Sequence, residues 1–370
     1  MNNTKLGNFE AIALILTIII NHTILNLPKA LVDTTKSSTI LNLFYVSIIA
    51  IIIATVIYRL FKNFPGLDLL DISSYLGGNF LKILIGILFF AYFIISSSTF
   101  LRCFCNNLQT LYYPWTSIVF IILLFVITLM INGHLSFNAT IRSNLFIIPI
   151  VLISVVFLFI ANIQNFSIHR IFPLLGEGFN TTFFSGISNL FAFGGLAFLY
   201  FIPPYLKETK DFHKVTILSI ILSALYLLFS VSTLLFMFNS FSETNKVMPL
   251  YDAVRYIDFG TFFQRLDAIF LLIWIMSFIS YLSIVTKFSL DIFKKLSNIK
   301  NERNLVFSIS LLILAITLIF KNTSMLNFFE NILYKYVFFI LVIFISISIL
   351  IFANIKKRIN KSENLNNYKI

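Results

Sequence analysis

The feature that most constrains this chain is a succession of long apolar segments that carry almost no charge. Several of them exceed the ~20 residues that an α-helix needs to cross a hydrocarbon core. Lipid offers no hydrogen-bond partner to the backbone, so a segment that crosses it must satisfy its own N–H and C=O groups, as a helix does. The sequence therefore predicts an all-α membrane protein with about ten transmembrane helices.

Composition supports this reading. Hydrophobic residues occupy 59% of the 370 positions and charged residues only 11%, whereas a soluble domain has roughly 45–50% apolar and about 25% charged residues. A chain of this composition has too few polar side chains to cover a soluble surface.

We number the predicted membrane spans 1 to 10 in chain order. Their expected boundaries are 9–32, 41–61, 80–104, 114–132, 143–163, 182–205, 215–239, 262–290, 304–320 and 332–355. We expect residues 1–355 to form a single transmembrane domain, with repeat halves at about 9–163 and 182–355. The mixed stretch 62–79 is expected at the membrane interface, and 356–370 is expected to be a polar cytoplasmic tail without regular structure.

The placement of Lys and Arg predicts the orientation of the spans. With the N-terminus inside, the outer side carries nine of the 27 basic residues, namely Lys29, Lys36, Arg102, Arg170, Lys246, Arg255, Arg265, Lys321 and Lys335. The remaining 18 lie on the inner side, and such a bias marks the cytoplasmic face. Both termini are therefore expected in the cytoplasm. The loop charges also account for the net charge of +12, so we expect membrane lipid and no nucleic acid as a partner.

Two spans are interrupted. Span 1 carries Asn21, His22 and Thr23 within an apolar run, and span 6 has Gly194 and Gly195 near its middle. Such breaks leave backbone groups that lipid cannot satisfy, and they are tolerated where they line a cavity in protein. Because spans 1 and 6 each begin a set of five, the pattern predicts a five-plus-five inverted-repeat, transporter-like fold with broken helices 1 and 6 and a site near the midplane. The alternative is that these residues only kink the helices.

A broken helix offers carbonyls at one half-helix end and N–H groups at the next start, which suit a cation or ammonium and a carboxylate. Hydroxyl-bearing residues on spans 3 and 8 have the one-turn spacing that places them on a shared face, although a hydroxyl can instead bond its own helix. His22 can be a proton-sensitive group or a neutral, hydrogen-bonded ring. The candidate ligand-binding residues are Asn21, His22, Thr23, Tyr92, Ser96, Phe193, Gly194, Gly195, Ser277 and Tyr281.

Enzymatic motifs are not evident. The sequence has no phosphate-binding loop, catalytic triad or metal-ligand cluster. Cys103 and Cys105, the only cysteines, lack the partners of a tetrahedral metal site and are expected to pack in the bundle. We therefore expect neither a catalytic activity nor a cofactor.

A more specific pattern lies in residues 262–284, which contain Arg265-Leu266-Asp267 followed by Trp274. This segment resembles the spore germination protein B-subunit (spore permease) family of the amino acid–polyamine–organocation superfamily. Segments 64–86, 172–179, 193–208 and 248–267 follow the same family order. The sequence departs from the family at Gln264, where an acidic residue is common.

The resemblance implies a transporter-like subunit of a spore germinant receptor in the spore inner membrane. Such a subunit would work with A- and C-type partner subunits, bind a small, amino acid-like germinant and trigger germination. Arg265, Asp267 and Trp274 carry the motif, and we expect the first two to pair with other groups and hold the outer loop. Two alternatives remain open at this point: an amino acid permease of the same fold, and a scaffold whose pocket has decayed.

Overall fold

A computed structural model describes residues 5–24, 27–135, 137–208, 210–238, 249–257, 266–297, 299 and 302–367. Within these residues, seven helical segments are long and apolar enough to cross a membrane, and three shorter apolar helices bring the number to ten. The protein is therefore a multi-pass membrane protein. The predicted ten spans correspond to these ten segments, with shifted boundaries.

The bounds of the spans are as follows. Span 1 is divided into Asn8–Ile24 and Leu27–Thr35, and spans 2 to 5 are Thr39–Phe61, Leu69–Tyr112, Ile118–Gly133 and Phe137–Ala161. Spans 6 to 9 are Asn180–Tyr200, Asp211–Met237, Leu266–Ser297 and Glu302–Ile319. Span 10 comprises Thr323–Asn331, Ile332–Ile345 and Ser346–Asn367. The short helix Pro249–Arg255 precedes span 8 on the face that the charge bias predicts to be the outer one, and we use outer and inner in this sense.

Span 3 begins earlier than predicted. Asp68 and Asp71 form a reciprocal capping box that starts the helix at Leu69. The backbone then departs from helical geometry at Gly77 and Gly78, where φ is −129° and +68°. Glycine is the residue that adopts this second conformation without a steric penalty. The stretch expected at the interface thus contains a short helix joined to span 3 by a glycine kink.

The prediction that residues 356–370 lack regular structure is wrong. Span 10 continues as the helix Ser346–Asn367, so most of residues 356–370 are helical. Lys356 donates hydrogen bonds to the Tyr75 and Leu76 carbonyls at 3.0 and 3.1 Å. These contacts hold the start of the tail against the beginning of span 3.

Span 1 lies at the centre of the bundle. From Ala11 to Asn21, every residue except Ile12 is buried, and the helix packs against spans 5, 6, 7 and 8. By contrast, Phe120 and Ile131 on span 4 are more than half exposed. A helix that is buried all round lies within protein rather than against lipid. The broken span is therefore enclosed by other helices.

The two described ends of the chain lie on the same face. Leu6 pairs with the backbone beyond span 6, because its N–H donates to Tyr205 O at 2.7 Å and its carbonyl accepts from Lys207 at 3.2 Å. The Tyr205 hydroxyl in turn donates to Asp291 on span 8. Both ends on one face agree with an even number of spans.

One turn beyond Asp291, Lys295 ties span 8 to the start of span 3. Its Nζ contacts Asp68 Oδ2 at 2.6 Å and Asp71 Oδ2 at 2.7 Å. Burial raises the pKa of the Asp68 carboxyl to about 6, although Lys295 opposes the shift. A single ammonium thus compensates two adjacent carboxylates, one of them buried.

Replacing this ammonium is expected to destabilise the protein. Lys295→Gln leaves two carboxylates without their cation, and we expect a loss of about 2 kcal/mol. This lies below the 3–5 kcal/mol typical of a fully buried pair because the Lys295 side chain is 34% exposed. The measurement is thermal unfolding of the purified protein in detergent.

Lys62→Gln is the matched control, since Lys62 is exposed on the same face and the change in charge is identical. The control is expected to change stability by no more than about 0.5 kcal/mol. Equal losses in both variants would contradict the proposed role of Lys295.

Candidate functional site

The interruption of span 1 follows Ile24, and the second half begins at Leu27. The last four carbonyls of an α-helix accept no hydrogen bond from within it. Here these are the carbonyls of residues 21–24, and they lie at the break. Thr23 belongs to this last turn, but its side chain lies outside the described residues.

Asn21 connects the broken helix to span 8. Its side chain is fully buried, and Nδ2 donates to Thr17 O at 2.7 Å and to Ser277 Oγ at 3.1 Å. The hydrogen bond from Nδ2 to Thr17 O fixes the orientation of the amide, because a flipped amide would set Oδ1 against that carbonyl. Oδ1 is buried and has no hydrogen-bond partner in the described part of the chain. A buried oxygen without a hydrogen-bond partner marks a place where an N–H or O–H group of a ligand can donate a hydrogen bond.

Asn144 on span 5 extends this cluster and was missed from the sequence. Its Nδ2 donates to Thr17 Oγ1 and, at 3.1 Å, to Ala13 O. Asn144 Oδ1, like that of Asn21, is buried and unpaired among the described residues. The available signal was an Asn within a predicted membrane span, since amides in such helices hydrogen-bond across to neighbouring helices.

His22 lies in an aromatic contact beside Asn21. Its ring centroid is 4.1 Å from that of Phe100 and 5.6 Å from that of Tyr281, the latter in an edge-to-face arrangement. Phe100 and Tyr281 also contact each other at 5.1 Å. Spans 1, 3 and 8 therefore meet at this point, and the ring of His22 fills the space between the other two helices.

Of the two predicted pairs of residues one turn apart, the pair on span 8 contacts span 1, whereas the pair on span 3 is only shown to be buried. Ser277 and Tyr281 both face span 1, through Asn21 and His22 respectively. Tyr92 and Ser96 are buried in the bundle, and the ring of Tyr92 contacts that of Phe93 at 5.8 Å. The binding role of all four side chains stays a prediction.

Span 6 breaks where the glycines indicated. Phe193 is fully buried and has non-helical backbone angles, with φ −98° and ψ 34°. The two glycines that follow are not equivalent. A Cβ atom on Gly195 would overlap Ile19 Cγ1 of span 1, whereas a Cβ atom on Gly194 would meet nothing within 4 Å. Of these two glycines, Gly195 is the one that permits the close approach of spans 1 and 6 at the break.

A second amide network, also missed from the sequence, supports the outer half of span 6. This half starts with wide π turns over Asn180–Phe184. Asn42 of span 2 donates to the Thr182 and Gly186 carbonyls at 2.8 and 3.0 Å. Asn189 Nδ2 then donates to Asn42 Oδ1 at 2.7 Å, so span 2 supplies partners for an irregular helix that lipid could not support.

The Arg-Leu-Asp motif lies at the outer start of span 8. Arg265 is outside the described residues. Asp267 Oδ2 accepts from the Tyr251 hydroxyl at 2.8 Å, which joins span 8 to the helix Pro249–Arg255. Trp274 is fully buried and packs edge-on against Phe270 at 6.0 Å. Asp267 therefore holds the outer end of span 8, about four turns from Tyr281, whereas Trp274 lies only about two turns from Tyr281.

The difference between the two glycines generates a prediction. Gly195→Ala should lower stability by about 1–3 kcal/mol because the added methyl forces spans 1 and 6 apart. Gly194→Ala, its matched control, should be neutral or slightly stabilising, since Ala favours a helix over Gly by ~1 kcal/mol. Thermal unfolding in detergent measures both, and a larger loss for Gly194→Ala would contradict the packing described here.

Comparison with known proteins agrees with this architecture. A family model described as "Spore germination protein" matches residues 5–326. Spore germination protein A2 of Bacillus subtilis (strain 168) is 23% identical over 315 residues, which cover 82% of this chain and 83% of that protein. Spore germination protein B2 of the same organism is 22% identical over 275 residues, covering 73% and 74%.

Among solved structures, the chain is similar to MHP1, a nucleobase-cation-symport-1 family transporter in a closed conformation with bromovinylhydantoin bound. The TM-score is 0.62 at 12% identity, and the match covers 89% of this chain and 75% of that one. The likeness confirms the predicted fold class, a five-plus-five transporter-like bundle with broken helices 1 and 6. Because the matching family model extends over most of the 370 residues, the chain belongs to the spore germination protein family.

Proposed function

We propose that this chain is the transporter-like subunit of a spore germinant receptor, which binds a small nutrient, an amino acid or a similar solute, and thereby triggers germination. Family membership and fold support a role of this class. The observation that carries the binding role is the buried, unpartnered Oδ1 of Asn21 at the break of span 1. An amide oxygen in this position is suited to accept from a ligand ammonium.

The chemistry of the break fits both ends of an amino acid. The carbonyl end of Asn8–Ile24 and Asn21 Oδ1 favour positive charge, and the start of Leu27–Thr35 favours a carboxylate. The rings of His22, Phe100 and Tyr281 offer an aromatic wall. We propose that the ligand contacts residues from the set Asn21, His22, Thr23, Tyr92, Ser96, Phe193, Gly194, Gly195, Ser277 and Tyr281.

The cellular setting is part of the proposal. We place the protein in the spore inner membrane, as one transmembrane domain with both termini in the cytoplasm, working with A- and C-type receptor subunits. The Lys and Arg bias supports this orientation, and so does the position of both described ends on one face.

A second function is favoured by one observation. The similarity to a transporter that was solved with a small molecule bound supports an amino acid permease of the same fold. If the chain is a permease, the purified protein alone is expected to take up an amino acid into energised vesicles. If the chain is a receptor subunit, it is expected to bind the ligand without such uptake.

Removing the amide at the break should weaken the response to the nutrient. Asn21→Ala deletes both the acceptor and the bond to Ser277, and we expect at least a tenfold rise in the nutrient concentration needed for half-maximal germination. Thr128→Ala is the control, since that exposed hydroxyl bonds only Leu124 O of its own helix.

Both variants must be present in the spore membrane at wild-type levels, as measured by immunoblot. An unchanged response of Asn21→Ala at that level would contradict the site but not the receptor function.

Deletion of the gene tests the function itself. We expect spores that no longer respond to one nutrient, together with normal vegetative growth, because the protein acts only in spores. Germination is followed by the loss of optical density after nutrient addition, and agents that bypass nutrient receptors serve as the control. A growth defect on an amino acid with normal germination would instead support the permease.

A further inference from the structure

Trp274 on span 8 carries a buried hydrogen-bond donor that the described protein does not use. The side chain is fully buried, and its Nε1 has no hydrogen-bond partner among the described residues. The indole nitrogen can only donate, and buried indoles usually find an acceptor for it. A phenylalanine could fill an apolar core here without a polar atom. The nitrogen therefore indicates a group that accepts a hydrogen bond from it.

Trp274 lies on the face of span 8 that meets span 1. It precedes Ser277 by three residues and Tyr281 by seven, spacings that place all three on one side of a helix. Ser277 Oγ accepts from Asn21 Nδ2 at 3.1 Å. The ring centroid of Tyr281 lies 5.6 Å from that of His22. The indole therefore belongs to the same surface, which spans 1 and 8 share.

Along the bundle, Trp274 lies at the height of the break in span 1. Spans 1 and 8 run in opposite directions, and Asn21 meets Ser277. Three residues further outward, about 4.5 Å along a helix, lie Trp274 on span 8 and Ile24, the last residue of the first half of span 1. Helical side chains tilt towards the N-terminus of their helix, which for span 8 is the outer end. This tilt directs the indole towards the interval between the two halves of span 1.

Aromatic packing holds the indole from the outer side. Phe270, one turn further out, packs edge-on against Trp274 with ring centroids 6.0 Å apart. The ring of Phe270 in turn lies 6.4 Å from that of Phe157 on span 5. A donor that packing already holds in place loses little conformational freedom when a ligand binds to it.

We propose that Trp274 Nε1 donates a hydrogen bond to the carboxylate of the ligand at the break of span 1. The start of Leu27–Thr35 lies at the same interval and favours the same negative charge. Asn21 Oδ1 lies one turn further inward and accepts from the ammonium, so the ligand is oriented with its carboxylate outward. This inference rests on the proposed binding site and adds to it the residue that selects a carboxylate.

The first test compares two ligands that differ only in the carboxylate. The full-length protein in phosphatidylcholine nanodiscs is titrated by calorimetry with whichever of the twenty amino acids it binds most tightly, and with the amine that lacks the carboxylate. Trp274→Phe keeps an aromatic ring and deletes the N–H. We expect this variant to bind the amino acid at least tenfold more weakly and the amine with unchanged affinity.

Tyr226→Phe is the matched control. It also deletes a buried donor that has no partner among the described residues, but its ring belongs to an apolar cluster of spans 1, 5 and 7. Binding of both ligands should be unchanged in this variant. Asn21→Ala should instead weaken binding of both ligands, because both carry the ammonium.

A second measurement needs no substitution at position 274. Trp115 is the other of the two tryptophans and is exposed, so Trp115→Phe leaves Trp274 as the sole indole. Ultraviolet resonance Raman spectra should show a free indole N–H in the protein alone. The N–H should become hydrogen-bonded when the amino acid binds and remain free when the amine binds.

The outcomes separate this inference from the site on which it rests. Equal losses for amino acid and amine in Trp274→Phe, an equal effect of Tyr226→Phe, or an N–H band that the amino acid does not change would overturn the role of Trp274. The site at Asn21 would stand in each case if Asn21→Ala still weakens binding. If the wild-type protein binds none of the twenty amino acids, the amino acid site and the role of Trp274 are both wrong.

Discussion

The structure depends on how backbone groups are satisfied where helices break inside the membrane. Lipid offers no partner, so each interruption must be met by protein. Side-chain amides of neighbouring spans supply such bonds to irregular helix, since Asn42 donates to the Thr182 and Gly186 carbonyls at the wide start of span 6. Asn144 donates to the Ala13 carbonyl within the first half of span 1 and so joins spans 1 and 5 away from the break. The amides also cross-link spans 1, 2, 5 and 6. The irregular start of span 6 and the packing of span 2 against it therefore arise together.

The same amides connect structure with binding. An amide whose N–H groups satisfy a carbonyl still has an oxygen, and the Oδ1 atoms of Asn21 and Asn144 remain unpaired among the described residues. A buried acceptor without a partner is costly, and a ligand that donates to it removes that cost. Asn21, which joins spans 1 and 8 through Ser277, thus also leaves an open acceptor one turn before the break. Lys295 and its two carboxylates hold the opposite, inner end of the bundle by a different means.

Some features were predictable because they depend on local sequence. Apolar length predicted the ten spans, and paired glycines predicted the break at Phe193. Other features needed the positions of neighbouring helices. Gly194 and Gly195 are chemically identical, yet only Gly195 faces Ile19. Asn42 and Asn144 each look like isolated polar residues until spans 6 and 1 are placed beside them. Hydropathy also did not predict that the helix of span 10 continues through the polar residues after 355, where Lys356 bonds the Tyr75 and Leu76 carbonyls.

The sequence by itself determined the fold class, the number of spans and the location of both breaks, because burial in lipid leaves an apolar segment almost no alternative to a helix. It also carried the family resemblance. Only the tertiary structure decided which polar side chains meet. Contacts such as that of Asn21 with Ser277, or those of His22 with Phe100 and Tyr281, depend on the rotation of each helix about its axis. That rotation is set by packing between spans distant in the chain, about which local hydropathy carries no information.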